Sequence, residues 1–594
     1  MNKEFLNKVL KGFSSAIEDD VIEVSKEEAN FINKDNYTVI WKVNTGIYDS
    51  EFDKWLVEEL SIYIAFNDEF PLFPPTIYFD NNDFEKLGFI PHITYLGSNI
   101  CVFDEFVIVD DSRPVDIVLY QYTKAKKTLE LGLKGLNDED FEDEFIAYWE
   151  TIQSKEDRLN SREYFTLIKE EPINSSDLKV LFYGKKNKEA SYKNAIIYNK
   201  NENLIDDYID VLKELNFELL EIDAFYINDI DTLKKPPFSI TCSNSLELIP
   251  EDLKRSFKSF INSKRIYKPV IFKRRIGDIS YFIGWSYPNF NKHINGFRKG
   301  KISNYNLLFT RILPNHKKSV LRFTSENINL DRLINRTSSK HIKNEKKSFL
   351  LSGIGSVGSN LLIQLNNFNF PNFTLIDIDR LGTENIGRHI FGFKDIGRNK
   401  VDIAKDFLKF RLPSQKVEVY NTSIIELINK NLELFNNQDF IFICIGKQNI
   451  DKWIIRQLKL GVLRKPVFIF WVEPFLLGGQ CIFIHPKNTI EVETLFADVY
   501  KYKYSVINHA EYERKRDLFT LKESGCQSTY SPYSASHLSI FMSTIYTRIF
   551  EIISNNSEES ISITWIGDTN LANELNVKLN FNDNMKYKLI ENVL

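Results

Sequence analysis

The sequence predicts a multidomain protein, part α/β and part α+β, on three observations. The chain has 594 residues, which at about 150 residues per domain means three or four domains and more than one hydrophobic core. A strand, a Gly-rich turn, a helix and a second strand follow one another over residues 348–377, a βαβ unit that implies a parallel sheet. Nearer the front, residues 60–66 (LSIYIAF) place apolar side chains at alternate positions, and charged stretches of helical period follow. That is the pattern of an antiparallel sheet flanked by helices.

Three zones follow in chain order. The first, residues 1–155, opens with a helix and runs into the strand at 60–66. Pro71, Pro74 and Pro75 make a turn, since proline fixes φ and removes a ladder donor, and a short strand at 76–79 comes next. Helical sequence at 122–136 and 138–149 closes the zone. The second zone, 156–345, has strand patterns at 180–183 and 195–198 and a helix at 206–215. Its basic stretches, 254–275 and 301–322, read as solvated faces, and without a chemical motif it reads as a connecting domain. The third, 346–594, holds a strand at 348–351, the glycine turn at 353–358, a helix at 359–366 and a strand at 373–377. Strands at 440–445 and 467–472 and a helix at 534–548 follow.

Charge and cysteine usage exclude several classes. Seventy-six basic residues against 81 acidic ones leave a net charge of −5, without the basic excess that nucleic-acid or membrane-surface binding needs. The start of the chain lacks the apolar run of a signal peptide, and no stretch of about 20 apolar residues predicts a membrane span. The five cysteines, Cys101, Cys242, Cys444, Cys481 and Cys526, include no CxxC pair, so a zinc site and a disulfide framework are not expected. A reduced, cytoplasmic compartment fits this usage. Cys444 and Cys481 lie in apolar strands and Cys242 has no partner, which makes these three structural.

Gly353, Gly355 and Gly358 form GxGxxG between a strand and a helix, where glycines let a phosphate approach the helix N-terminus. Asp377 ends the next strand, placed to hold ribose hydroxyls. Alone, this pattern suits NAD and ATP equally. Asn385, Arg388 and Lys400 downstream suit a triphosphate, because Arg forks onto phosphate oxygens and Lys supplies a point charge. With Asp377/Asp379, Asn385/Arg388 and Gly397/Lys400 in that order, residues 346–594 resemble the ubiquitin-activating (ThiF/MoeB-like) adenylating family. The resemblance implies a Rossmann-like adenylation domain that uses ATP and Mg²⁺. In it Asp377 holds ribose and Asn385, Arg388 and Lys400 hold phosphates. The family's magnesium Asp after the fourth core strand has no counterpart at the expected place, which leaves Asp379 or Asp451 for the metal.

Two cysteines are candidate nucleophiles. Cys526 follows Ser524 and Gly525 in a small, polar loop ahead of a helix, where a thiol gains thiolate character. By position it corresponds to the cysteine to which activating enzymes pass the acyl group from AMP. Cys101 ends Gly97-Ser98-Asn99-Ile100-Cys101, downstream of Phe70-Pro71-Leu72-Phe73-Pro74-Pro75 and His92. Residues 1–155 thereby resemble ubiquitin-conjugating enzymes, with Pro91-His92-Ile93 where that family has His-Pro-Asn. His92 is then a hydrogen-bonding residue, and Asn99 a substitute for the missing amide.

The two resemblances together imply a relay: adenylation, thioester at Cys526, transfer to Cys101 and conjugation to a lysine. A conjugating part first and an adenylating part last is similar to the ancillary transferase of type II bacterial CBASS antiphage systems. The Trp471-Val472-Glu473-Pro474 and Gly478-Gly479 sequences are a further likeness. That resemblance implies a cGAS-like nucleotidyltransferase as substrate protein, lysine-bearing targets and a homodimer. Two other classes stay open: an NAD-dependent oxidoreductase and a catalytically inactive scaffold.

Overall fold

The computed structural model describes residues 3–32, 37–94, 98–102, 108–151, 162–185, 192–228, 233–264, 267–277, 279–287, 302–311, 313–337, 346–498, 501–522 and 529–594. The chain divides into two compact units, Met1–Ile205 with Leu212–Asn329, and Asp206–Val211 with Leu330–Leu594.

The first unit begins with helix Lys3–Ala16, whose Leu6, Val9 and Phe13 are buried at helical spacing. Phe13 meets Tyr122 of helix Pro114–Leu133 edge-on at 5.5 Å. Gly12 lets the two helices close up, since a Cβ there would sit 2.8 Å from Val115. Both cover a five-stranded antiparallel sheet in sequential order: Asp20–Val24, Val39–Asp49, Lys54–Phe66, Thr76–Phe79 and Asn99–Ile100. The strand predicted at 60–66 is the second half of Lys54–Phe66, and 76–79 is a strand to the residue.

The helical sequence predicted at 138–149 is two helices, Asp140–Asp143 and Phe145–Thr151, broken where Glu144 leaves helical geometry (φ −96°, ψ 15°). The second of these enters the core of the middle zone. Trp149 is fully buried, its indole N–H donates to the Gly284 carbonyl at 3.0 Å, and its ring meets Phe272 at 5.0 Å. Two sheets build that zone. One orders Phe225–Ile227, Pro269–Ile276, Ile279–Ser286 and Leu321–Phe323, and the other Ser325–Asn327, Glu163–Thr166, Asn194–Asn199, Leu178–Lys185 and Phe217–Asp223. The basic stretches are not wholly solvated as predicted. Lys268, Arg274 and Arg322 are buried, with the Arg274 guanidinium 4.6 Å over Phe145 and that of Arg322 5.1 Å over Trp149. A planar, weakly hydrated guanidinium stacks on aromatic faces, which periodicity alone does not reveal.

The second unit is built on an eight-stranded sheet. Its order is Val417–Tyr420, Asn372–Ile376, Ser348–Ser352, Phe440–Ile443, Val467–Val472, Gly478–Ile484, Ile561–Ile566, Leu589–Val593. The first five are parallel and the rest antiparallel. Apolar runs such as Phe440–Ile443 are buried along their whole length, as strands covered on both faces must be. Helices Ser356–Asn366 and Ala535–Ser554 share one core through Leu361, Leu365, Phe541 and Ile545. The first begins three residues before the predicted 359, directly after Gly355. The fold is the predicted one: an α+β front and a Rossmann-like, doubly wound α/β back. None of the described helices is long and apolar enough to cross a membrane.

Candidate functional site

Strand order reverses beside Ser348–Ser352, which has Asn372–Ile376 on one side and Phe440–Ile443 on the other. At such a switch point the carboxyl ends of the two central strands part and leave a crevice for a ligand. The glycine turn lies in it. Gly353 has φ +91°, and a Cβ there would fall 2.7 Å from the Cys444 carbonyl carbon and oxygen. A Cβ on Gly358 would fall 1.8 Å from the Gly353 carbonyl oxygen, so only glycine lets the helix seat on the strand. Gly355 faces open space at the start of helix Ser356–Asn366, where free N–H groups and the helix dipole favour an anion.

Asp377 is tied to this turn. Its carboxylate accepts from the Ile354 N–H at 2.5 Å and from the Asp379 N–H at 2.8 Å. Burial nonetheless raises its pKa, against those two N–H groups and Lys400. Lys400 is buried, with its ammonium 3.3 Å from Asp379 Oδ2. Asn385 Oδ1 accepts from the Gly382 N–H at 3.0 Å, which shapes the following loop. Arg388 donates to the Ser531 carbonyl at 3.1 Å and lies 4.3 Å over the Tyr533 ring. His389 bridges back to the Ile354 carbonyl at 2.7 Å and accepts from the Phe391 N–H, which settles its ring as a neutral Nε2–H tautomer. Burial lowers its pKa, in keeping with that form.

A cavity of about 340 Å³ opens against Gly355, Ser356, Gly446, Asp451 and Tyr533. Asp451 lies in the first turn of helix Gln448–Lys459 and is 3% exposed. Its Oδ1 has no hydrogen-bond partner, and burial pushes its pKa up to about 8. A buried acceptor left open toward a cavity is a place where a ligand or cation is expected. A second cavity of about 370 Å³ shares Gln448, Trp471 and Val472 with the first. Its wall includes Glu473, a buried carboxylate that accepts from the Val506 and Ile507 N–H groups, Gln480 and Ser505 at 2.7–3.1 Å. Glu473 is thus an internal polar hub within the Trp471-Val472-Glu473-Pro474 sequence. Gly478 is small because a Cβ there would press within 2.9 Å of the Glu473 carboxyl carbon.

In the first unit Cys101 follows strand Asn99–Ile100 and is exposed. Its N–H donates to the His92 carbonyl at 2.7 Å. His92 is held on its other sides by side chains that the sequence did not single out. Its Nε2 is 2.8 Å from Asp140 Oδ2, its Nδ1 3.6 Å from Glu144 Oε1, and its N–H donates to the Tyr148 hydroxyl at 2.5 Å. Asp140 and Glu144 are four residues apart, the spacing that puts two side chains on one helical face, and this was the available signal. Asn99 Oδ1 accepts from the Thr94 hydroxyl. Tyr533 and Gln448 around this crevice had no local signal, because they come from segments far apart in the chain, whereas Trp471 lies in the Trp471-Val472-Glu473-Pro474 sequence already noted.

Cys526 lies outside the described residues. Cys242, Cys444 and Cys481 are buried, and burial raises the thiol pKa of all three, to about 12 for Cys242. They are held as inert thiols.

Two stretches of the chain match known families. Residues 324–514 match the ThiF family, and residues 27–157 match prokaryotic E2 family B. The NEDD8-activating enzyme E1 catalytic subunit of Arabidopsis thaliana is 32% identical over 103 residues, 17% of this chain. The chain spans 22% of the length of that relative. Among solved structures, E. coli MccB with ATP is 15% identical over 42% of this chain and 63% of its own, with a TM-score of 0.26. PaaA is 17% identical over 44% of this chain and 72% of its own, with a TM-score of 0.29. The chain joins an E2-like domain to an E1-like ThiF domain.

Proposed function

We propose that the protein activates the C-terminus of a partner protein with ATP and conjugates it to lysines by a thioester relay. One observation carries this reading: the glycine turn at the switch point opens on a cavity that Gly355, Asp451 and Tyr533 line, with Asp377 hydrogen-bonded to that turn and Arg388 stacked on Tyr533. Asp377 would take the ribose and the N-terminus of helix Ser356–Asn366, with Asn385, Arg388 and Lys400, the phosphates. Among the described residues no group of three or more His, Cys, Asp or Glu is placed to hold a metal. A Mg²⁺ here would therefore rest on Asp451 and phosphate oxygens, the usual pattern for an ion carried by a nucleotide. Asp451 suits it better than Asp379, which Lys400 already pairs. The metal would supply charge neutralisation at the phosphates.

A carboxylate oxygen of the partner's C-terminus attacks the α-phosphorus, and pyrophosphate leaves with the electron pair of the broken P–O bond. The Cys526 thiolate then attacks the acyl carbon and AMP leaves. Cys101 takes the acyl group by thiol exchange. A lysine amine displaces Cys101, losing one proton as the amide forms. Joining both modules in one chain raises the effective concentration of the second thiol. A cGAS-like nucleotidyltransferase in bacterial antiphage defence is the substrate we favour, and a homodimer in the cytoplasm the working form. The substrate rests on domain order, the homodimer on the family resemblance and the compartment on cysteine usage.

Purified protein, MgATP and candidate partner proteins test this. ATP–pyrophosphate exchange should require the partner's C-terminus and fall roughly 10²–10³-fold in Asp377→Ala. A thiol-labile adduct should stall on Cys526 in Cys101→Ala and vanish in Cys526→Ala. Tight NAD binding with no ATP–pyrophosphate exchange for any partner protein would overturn the reading.

A further inference from the structure

We propose that Tyr148, anchored by Glu144, is a positioning residue for Cys101 that acts through the main chain of His92. The inference rests on the reading of Cys101 as a thioester carrier. It concerns how that thiol is held in a domain that lacks His-Pro-Asn.

A continuous chain of hydrogen bonds carries it. The Tyr148 hydroxyl donates to Glu144 Oε2 at 2.8 Å and accepts from the His92 N–H at 2.5 Å. The His92 carbonyl accepts from the Cys101 N–H at 2.7 Å. Glu144 is thereby connected to the cysteine through one phenol and the backbone of one residue, His92. Burial raises the Tyr148 pKa, so the hydroxyl keeps the proton that it gives Glu144. Its ring is fixed as well, by Phe141 at 5.1 Å and Phe89 at 6.1 Å.

The backbone shows why an anchor is needed. His92 has φ +62°, in the left-handed region that side chains other than glycine seldom adopt. Such a conformation persists where its surroundings over-determine it, and such residues gather at functional sites. Here four contacts do so: the N–H on Tyr148, the carbonyl on Cys101, and the ring between Asp140 and Glu144. The imidazole docks the loop on the helices while its peptide aims the cysteine. His92 thus enters through its main chain.

Amide exchange followed by mass spectrometry on the full chain tests this without any acyl donor, with the rate of Cys101 alkylation by iodoacetamide as a second readout. Tyr148→Phe keeps the ring and removes both hydrogen bonds. Peptides bearing His92 and Cys101 should then exchange about tenfold faster, the loss of one buried hydrogen bond, while strand Val39–Asp49 is unchanged. The Cys101 alkylation rate should shift in the same variant. Glu144→Gln keeps an acceptor oxygen for Tyr148 and should match the wild type, whereas Glu144→Ala should follow Tyr148→Phe. Wild-type exchange in Tyr148→Phe at both peptides, or equal effects of Glu144→Gln and Glu144→Ala, would overturn the proposal. If Tyr148→Phe fails to fold, the Glu144 pair decides alone. Because exchange and alkylation do not depend on acylation, failure here leaves the thioester reading standing, and loss of the thioester leaves this one testable.

Discussion

At the scale of single residues, Asp451 carries the sharpest expectation. Burial raises its pKa to about 8, so the folded state holds a proton that the unfolded chain releases near the ordinary carboxylate value of about 4. The stability this gives is complete below about pH 4 and is lost as pH rises through the folded value. Asp451→Asn removes the dependence. The variant should gain on the wild type between about pH 4 and pH 8, by at least about 1 kcal/mol, and no further above that range. Denaturant titrations at a series of pH values check this. The same variant should lose roughly 10²–10³-fold in Mg²⁺-dependent pyrophosphate exchange. Higher stability with lower activity is what a carboxylate kept for a ligand rather than for the fold would show. Arg388→Lys tests a different property at the same site. Lysine keeps the charge but neither the fork nor the stack on Tyr533, so KM for ATP should rise about tenfold while the melting temperature barely moves.

At the scale of elements, the turn between strand Ser348–Ser352 and helix Ser356–Asn366 decides whether the crevice exists. Gly358→Ala would push a methyl into the Gly353 carbonyl oxygen, a backbone atom that cannot swing aside. It should cost about 1–3 kcal/mol and reduce ATP binding, since the helix must lift from the strand that aims its N-terminus. Calorimetric titration with ATP and thermal melting of the same sample check both. This element was legible in the sequence because its signals are local: glycines at fixed spacing, an apolar strand before them and an apolar helical stripe after. The two short helices after residue 138 were less legible. Their charged, aromatic sequence has a helical period throughout, and the break at Glu144 is set by the packing of Phe145 and Trp149 into another sheet.

At the scale of the molecule, two compact units carry the two candidate centres, Cys101 in one and the nucleotide-type crevice in the other. MgATP at about a hundred times its Kd should add about 2.7 kcal/mol to the unit that holds residues 330–594, by mass action alone. Amide exchange should show that protection at the glycine turn, around Asp377 and along helix Gln448–Lys459. Absence of protection there would remove the basis for adenylation at this crevice. The sequence by itself determined the fold class, the glycine turn, the order of the acidic and basic motifs and the two resemblances. All of these are written in short stretches of chain, where spacing alone sets which face a side chain takes. Only the tertiary structure decided which groups meet: Arg388 with Tyr533, the Asp451 carboxyl with the glycine turn across one cavity, and the Tyr148 hydroxyl with the His92 N–H, whose carbonyl in turn holds the Cys101 N–H. Those pairs join residues tens to more than a hundred positions apart, and their approach is set by strand order and core packing, to which no local pattern in the chain is sensitive.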